Sequence, residues 1–184
     1  MNGSHRLVQL LAERSVRRGT FTLASGRQSS FYVDARLTTM SPEGLATIGP
    51  LALEQMGAAG LRPDSVGGLT LGADPVSYAI AYASALAGTP IRAFTVRKEP
   101  KVHGTGKLIE GPFHAGDSVV VVEDVITTGG SARRALAAVQ DAGARVIGIL
   151  AVVDREEGGR EALLETGVPV IALTTVSELL AAAR

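Results

Sequence analysis

Val119-Val120-Val121-Val122-Glu123-Asp124-Val125-Ile126-Thr127-Thr128-Gly129-Gly130-Ser131 joins an apolar run, two acids and a turn rich in glycine and hydroxyls. A run of β-branched residues without polar alternation predicts a strand over 118–122 buried on both faces. A helix is expected over 131–142. The strand therefore delivers two adjacent carboxylates, Glu123 and Asp124, to its carboxyl end, the edge of an open α/β sheet where ligands bind. Glycines in the following turn let backbone approach a ligand closely, and the unpaired N–H groups of a helix start favour a phosphate. The carboxylates suit the vicinal hydroxyls of a sugar, or a metal. A phosphate site beside a hydroxyl site fits a ribose 5-phosphate. The alternative is a strand–turn–helix whose hydroxyls merely cap the helix, but a cap needs neither acid. No Gly-Lys-Ser/Thr follows, and the dinucleotide pattern Gly-x-Gly-x-x-Gly is absent.

Working outward, apolar runs at 65–71, 91–96, 146–153 and 168–173 read as further buried strands, with helices over 76–86 and 159–166 between them. Gly88, Gly143 and Gly167 fall where helix stops are expected. The alternation argues an α/β fold with right-handed crossovers. Twenty-two glycines and no tryptophan suit a sheet packed closely under small-residue helices. Upstream, helices are expected over 4–18 and 42–56, the second capped by Ser41, with a polar loop between. Residues 97–116 break the alternation, and an insertion of this kind in a compact domain is usually functional or disordered. At 184 residues, with no repeat or linker, one domain is expected.

Charge excludes several function classes. Eighteen Lys plus Arg balance 18 Asp plus Glu, which argues against a chain that coats nucleic acid or an anionic membrane. With no cysteine there are no disulfides, thiolate metal sites or thiol nucleophiles. No apolar run approaches the roughly 20 residues of a membrane span, so a cytoplasmic protein is expected.

Three further places carry chemistry. Arg97, Lys98, Lys101 and His103 gather cations and one titratable ring just beyond a strand end. A solvated basic loop is the ordinary reading, but it leaves the length and glycine content of 97–116 unexplained, whereas a cationic lid over an anionic leaving group accounts for both. Arg155 follows the strand 146–153 at the same edge as Glu123 and Asp124, where its fork suits a planar carboxylate. A surface salt bridge with Glu156 or Glu157 is the competing reading. Gly72-Ala73-Asp74-Pro75 ends another strand, and reads equally as a ligand turn or as a plain helix start. His5 and His114 lack spacing partners for a metal, and Tyr78 with Tyr82, four apart on a helix, reads as packing.

Residues 119–131 resemble the phosphoribosyl pyrophosphate (PRPP) motif of the type I phosphoribosyltransferases. Within that group the chain resembles the orotate phosphoribosyltransferase family through three more segments: Phe21-Thr22-Leu23-Ala24-Ser25-Gly26-Arg27-Gln28-Ser29-Ser30-Phe31-Tyr32-Val33-Asp34, Arg97-Lys98-Glu99-Pro100-Lys101-Val102-His103-Gly104, and Val153-Asp154-Arg155-Glu156. The resemblance implies a type I phosphoribosyltransferase fold: a central, mainly parallel sheet of about five strands flanked by helices, with a small hood formed mainly by 1–40 plus the C-terminal segment. It implies transfer of the phosphoribosyl group from PRPP to orotate in pyrimidine (UMP) synthesis, giving orotidine 5-phosphate and pyrophosphate.

The resemblance also assigns residues. PRPP would be held by Ala73, Asp74, Arg97, Lys98, Lys101, His103, Glu123, Asp124, Val125, Ile126, Thr127, Thr128, Gly129, Gly130 and Ser131. Orotate would meet Ser25, Tyr32, Thr127 and Arg155. Lys101, His103 and Asp124 would be catalytic, with Asp124 near Mg²⁺ through water. Residues 97–116 would be a mobile loop acting on the neighbouring subunit's site in a homodimer. Two departures stand out: some family members carry a lysine at the position of Ala24 and another near Asp74, and this chain has neither. A phosphoribosyltransferase for a purine would leave Arg155 without a carboxylate to meet. A PRPP-sensing regulator should have lost the loop cations and gained a nucleic-acid surface. The length leaves no room for a fused decarboxylase.

Overall fold

The computed structural model describes residues 3–22, 28–100 and 107–183. Helix α1 (Gly3–Arg14) is followed by a hairpin, β1 (Val16–Thr22) and β2 (Gln28–Val33), a single turn α2 (Arg36–Thr39) and the long helix α3 (Pro42–Ala58). Then come β3 (Ser65–Leu69), α4 (Ala73–Leu86), β4 (Arg92–Val96), β5 (Ile109–Glu110), β6 (Ser118–Ile126) and α5 (Gly130–Asp141). The chain closes with β7 (Arg145–Asp154), α6 (Gly159–Leu164), β8 (Val170–Thr175) and α7 (Val176–Ala182).

The main sheet has the order β5-β4-β3-β6-β7-β8, with every neighbouring pair parallel except β4 and β5. It has six strands where about five were expected. The extra one is β5, two residues that return antiparallel along β4 (Thr95↔Glu110, Val96↔Ile109), too short to leave a periodic signal. Progression from β3 to β4 runs one way across the sheet and from β6 to β8 the other. The gap between β3 and β6 is thus a topological switch point, and ligands of open α/β sheets bind outside the carboxyl ends of the strands there.

Val119 to Val122 are fully buried, each stabilising the fold by on the order of 2 kcal/mol. Side chains alternate across the sheet. Val120 and Val122 join Leu7, Ile48 and Ile80 on one face, while Val119 and Val121 join Phe94, Val139 and Leu163 on the other. At the amino ends of the strands, Asp117 accepts from Arg92 at 2.7 Å and from Ser65 at 2.9 Å, tying β3, β4 and the entry to β6.

Several expectations shift. The helix expected over 4–18 stops at Arg14 because residues 16–22 pair with 28–33 instead (Val16↔Val33, Arg17↔Tyr32), so the expected polar loop is partly a hairpin. The strand expected over 65–71 ends at Leu69, and α4 starts three residues early, taking in Asp74 and Pro75. The strand expected over 118–122 runs on to Ile126, because its ladder with β7 continues through Val125↔Val153 and Ile126↔Asp154. Ser41 does cap α3, accepting from the Gly44 N–H at 3.1 Å. Helix α7 went unforeseen, although Thr175 and Glu178 form a capping box around its start, a pattern present in the sequence. Arg18 donates to the carbonyls of Leu180 (3.1 Å) and Ala183 (2.6 Å), fastening the hairpin to that last helix.

Candidate active site

Because β6 extends to Ile126, Glu123 and Asp124 stand inside the strand, on its two faces. Glu123 is 6% exposed; Asp124 is partly open. Burial, and then the Asp124 charge beside it, push the Glu123 carboxyl up to about 9, so Glu123 carries its proton at neutral pH. A protonated carboxyl can donate as well as accept, which suits a hydroxyl-bearing ligand.

Asp124 is held by the Val125 N–H, which donates to its Oδ1 at 2.9 Å, and its carboxylate lies against the turn after β3. A Cβ placed on Gly72 would fall 2.4 Å from Asp124 Oδ1. A side chain there would have to displace the carboxylate, so the turn backbone and Asp124 share one wall of the switch-point cleft. Gly72→Ala is expected to push the carboxylate aside and lower kcat/KM for PRPP by about 10²-fold, the usual cost of a misplacement near 1 Å. Initial rates at varied PRPP, beside an unchanged melting temperature, check this.

The turn itself is fixed by Asp74. Its two oxygens accept from Thr70 Oγ1 at 2.7 Å and Thr95 Oγ1 at 2.8 Å, and the Tyr78 hydroxyl lies 3.1 Å from Thr95 Oγ1. The Thr70–Leu71 peptide in this turn is cis. Asp74 thus spends its carboxylate within the protein, on Thr70 and Thr95.

Downstream, Gly129 caps α5 in the left-handed region (φ 79°), and no side chain caps the helix. The hydroxyls of Thr127, Thr128 and Ser131 stand at an exposed turn, leaving the N–H groups of the helix start open to an anion. The capping alternative fails on this point. Glu123 and residues 125–131 line a small pocket here. Two roomier cavities, each about 520–530 Å³, lie away from the carboxylates, one by Leu61, Arg62 and Asp64 and one beside Phe113 and α5.

Arg155 joins this turn through the backbone: its N–H donates to the Ile126 carbonyl at 3.0 Å. Its side chain is 6% exposed and sits between two partners. Glu157 accepts from Nη2 at 2.7 Å, and the Phe31 ring faces the guanidinium at 5.2 Å, within cation–π range. The salt bridge considered as an alternative exists, with Glu157, but its Arg155 side is buried and Glu157 only partly exposed, and it leaves Arg155 Nε buried without a hydrogen-bond partner. Glu156 instead accepts from the Ser177 N–H at 3.0 Å.

The remaining sites are placed as follows. Tyr32 packs on Phe21 (centroids 5.7 Å apart); of the two neighbouring aromatics on β2 it is Phe31 that meets Arg155, as strand alternation requires. Arg97 closes the base of the loop, its N–H donating to the Leu108 carbonyl at 2.8 Å and its side chain facing Glu110 at 3.6 Å. The Lys98 carbonyl accepts from Arg134 at 2.8 Å. Ala24, Ser25, Lys101 and His103 lie outside the described residues. Tyr78 and Tyr82, expected to pack, are 54% and 70% exposed. His5 and His114 stay apart from the site, against Gln9 and Arg92.

Sequence reasoning missed Phe31 as the ring against Arg155 and missed Arg36; it quoted Gly72 only as part of its turn, and Glu157 only as a surface partner of Arg155. Arg36 is gripped by Asp34 at 2.8 and 3.0 Å and raised above its ordinary value chiefly by that pair, with Tyr32 and Asp124 within electrostatic reach. Period-two reading of β2 puts Phe31 and Tyr32 on opposite faces without saying which turns inward; nothing in the sequence brings Arg36 near Asp124.

A phosphoribosyl transferase domain matches residues 73–163. The orotate phosphoribosyltransferase of Aquifex aeolicus is 47% identical over 178 residues, covering 95% of this chain and 96% of that one. The chain belongs to the orotate phosphoribosyltransferase family. Among solved structures, the orotate phosphoribosyltransferase of Mycobacterium tuberculosis H37Rv in complex with Fe(III) dicitrate matches with a TM-score of 0.87 and 44% identity, over 97% of this chain and 99% of that one. The same enzyme in complex with PRPP matches at 0.83 and 42% identity, over the same shares. The fold is that of the type I phosphoribosyltransferases, and the chain is a phosphoribosyltransferase enzyme. No helix among the described residues is long and apolar enough to cross a membrane.

Proposed function

We propose that this family member transfers the 5-phosphoribosyl group of PRPP to orotate, giving orotidine 5-phosphate and pyrophosphate for UMP synthesis, with its residues dividing the work as follows. The observation that carries this reading is the bond from the Arg155 N–H to the Ile126 carbonyl. It sets a carboxylate-reading fork one residue away from the turn that receives the phosphate and beside the acids that receive the ribose.

The open N–H groups of 129–131, with Thr128 and Ser131, hold the 5-phosphate. Glu123 and Asp124 bond the ribose hydroxyls, and the backbone at Ala73 faces the pyrophosphate. Arg97, Lys98, Lys101 and His103 gather charge over the leaving group, and His103 can give it a proton. Arg155 pairs with the orotate carboxylate, while Thr127, Ser25 and Tyr32 line the base. As the bond to pyrophosphate lengthens, the ribose carbon gains oxocarbenium character, and the Asp124 carboxylate supplies the nearest negative charge. The base nitrogen attacks from the opposite face. Positioning and electrostatics do this without a covalent enzyme intermediate.

Two adjacent acids with no third ligand nearby fit Mg²⁺ held mostly by substrate oxygens and water: among the described residues no group of three or more His, Cys, Asp or Glu is placed to hold a metal. Mg²⁺ would neutralise the pyrophosphate charge, with Asp124 its protein contact through water. A homodimer is supported by Tyr78, Tyr82 and Leu86, four apart along one face of α4 and all exposed. Such a pairing lets residues 97–116 act on the neighbouring site. The hairpin β1–β2 with α7 forms the hood over the base, and the enzyme works in the cytoplasm.

The test is loss of orotate absorbance with purified protein, PRPP and Mg²⁺, run beside uracil and a purine. Orotate consumption matched by pyrophosphate release is expected. Turnover of the purine alone would overturn the choice of base, and PRPP binding without turnover of any base would make the chain a PRPP sensor.

A further inference from the structure

Arg155 is more deeply buried than its role at a substrate-entry site would suggest, and a buried guanidinium without a counter-charge is costly. Glu157 supplies that charge at 2.7 Å, with its own side chain 19% exposed. The turn between β7 and α6 is built to put it there. Asp154 accepts from the Glu156 N–H at 2.8 Å, Glu156 adopts the left-handed region (φ 57°), and its side chain is tied to Ser177 at the start of α7. With Glu156 turned outward, Glu157 folds back onto Arg155. Phe31 closes one side of the guanidinium.

The fork is nevertheless unfinished. A carboxylate reads arginine best through two parallel N–H bonds, but Glu157 takes Nη2 while Nε, fully buried, has no partner. We infer that Glu157 is an internal stand-in for the substrate's carboxylate: it neutralises Arg155 in the free enzyme and gives up Nη2 when orotate arrives. The partly exposed Glu157 side chain then turns toward water, and the orotate carboxylate completes the Nε–Nη2 pair. This rests on the proposal that orotate is the base.

The arrangement makes Glu157 a positioning residue that acts through Arg155 and sets specificity. A base without a carboxylate, such as uracil, has nothing to exchange for Glu157, so it enters against an intact ion pair and gains nothing from Arg155. A carboxylated base recovers the charge pairing that Glu157 surrenders.

Steady-state kinetics of Glu157→Gln test the exchange. The substitution keeps shape and removes charge, weakening the internal competitor. KM for orotate is expected to fall on the order of fivefold, because charge-assisted bonds are about twice as strong as neutral ones. KM for PRPP and the inhibition constant of uracil should move far less than KM for orotate, because neither ligand meets Arg155 through a carboxylate. Glu157→Ala, which removes the competitor outright, should lower KM for orotate in the same direction. A KM for orotate that is unchanged or raised in both variants would overturn the exchange and leave Glu157 as a fixed support for Arg155. A wild-type enzyme that does not consume orotate would instead sink the proposed reaction, so the two failures are told apart.

Discussion

Arg155→Ala is expected to lower kcat/KM for orotate by between about 30-fold and about 4,000-fold, the range set by the roughly 2–5 kcal/mol lost when one partner of a buried charged hydrogen bond is truncated. The reason is geometric. Arg155 is nearly buried and fastened to the Ile126 carbonyl through its own N–H, so its guanidinium is held at one place beside the turn. Its backbone bond to β6 survives the substitution, and the turn 127–131 keeps its shape. KM for PRPP should therefore stay near the wild-type value while KM for orotate rises. A parallel rise in both constants would mean that the turn had collapsed, and Arg155→Lys, which keeps the charge, would then separate charge from fork geometry: a lysine that restores only part of the activity argues for the fork.

The two adjacent acids should not respond alike. Asp124→Asn is expected to reduce kcat by roughly 10²–10³-fold, comparable with removal of one preorganised electrostatic contact at a developing charge. Glu123→Gln should cost far less, because Glu123 already carries its proton at neutral pH: burial first, then the Asp124 charge, hold it near 9. An amide resembles a protonated carboxyl in shape and in having both donor and acceptor. Equal losses in the two variants, measured as kcat at saturating PRPP and orotate, would refute that asymmetry.

The same carboxyl makes stability depend on pH. The folded-state value of Glu123 lies above its ordinary value near 4.5. Its contribution is therefore fully present below about 4.5 and is lost as pH rises through about 9. The melting temperature of the wild type should decline across this window relative to Glu123→Gln, which has no proton to lose there. Parallel melting curves for the two proteins from pH 6 to 10 would contradict this.

How far the sequence could be read follows from the kind of signal each element leaves. The strands that form the centre of the sheet are buried on both faces, so they show as continuous apolar runs, and Val119 to Val122 are fully buried as that pattern requires. Their ends were harder to place. Ladder pairing with β7, not composition, carried β6 through Glu123 and Asp124 to Ile126. The hairpin strands carry polar and charged residues in place of an apolar run, and β5 is only two residues long, so neither leaves a clear periodic signal.

Within the site, the chemistry of the residues was legible and their orientation was not. Paired acids, a hydroxyl- and glycine-rich turn and an arginine at a strand end could be picked out from the sequence, and the fold gathers them at one edge of the sheet. That Phe31 and not Tyr32 meets Arg155 depends on which face of β2 turns inward. Tyr78 and Tyr82 carry the spacing of a packed helix face, yet that face of α4 is exposed, because which side of a helix the sheet covers is a property of the assembled fold.

By itself, the sequence determined the α/β alternation, the family and the residue types of the site, because buried strands, glycine turns and charged strand ends are local signals. The strand order, the switch point between β3 and β6, the protonated Glu123 and the seating of Arg155 against Phe31 were decided by tertiary structure alone. Each of these arises when residues far apart in the chain are brought together and removed from water, and burial and pairing are the terms that no local pattern records.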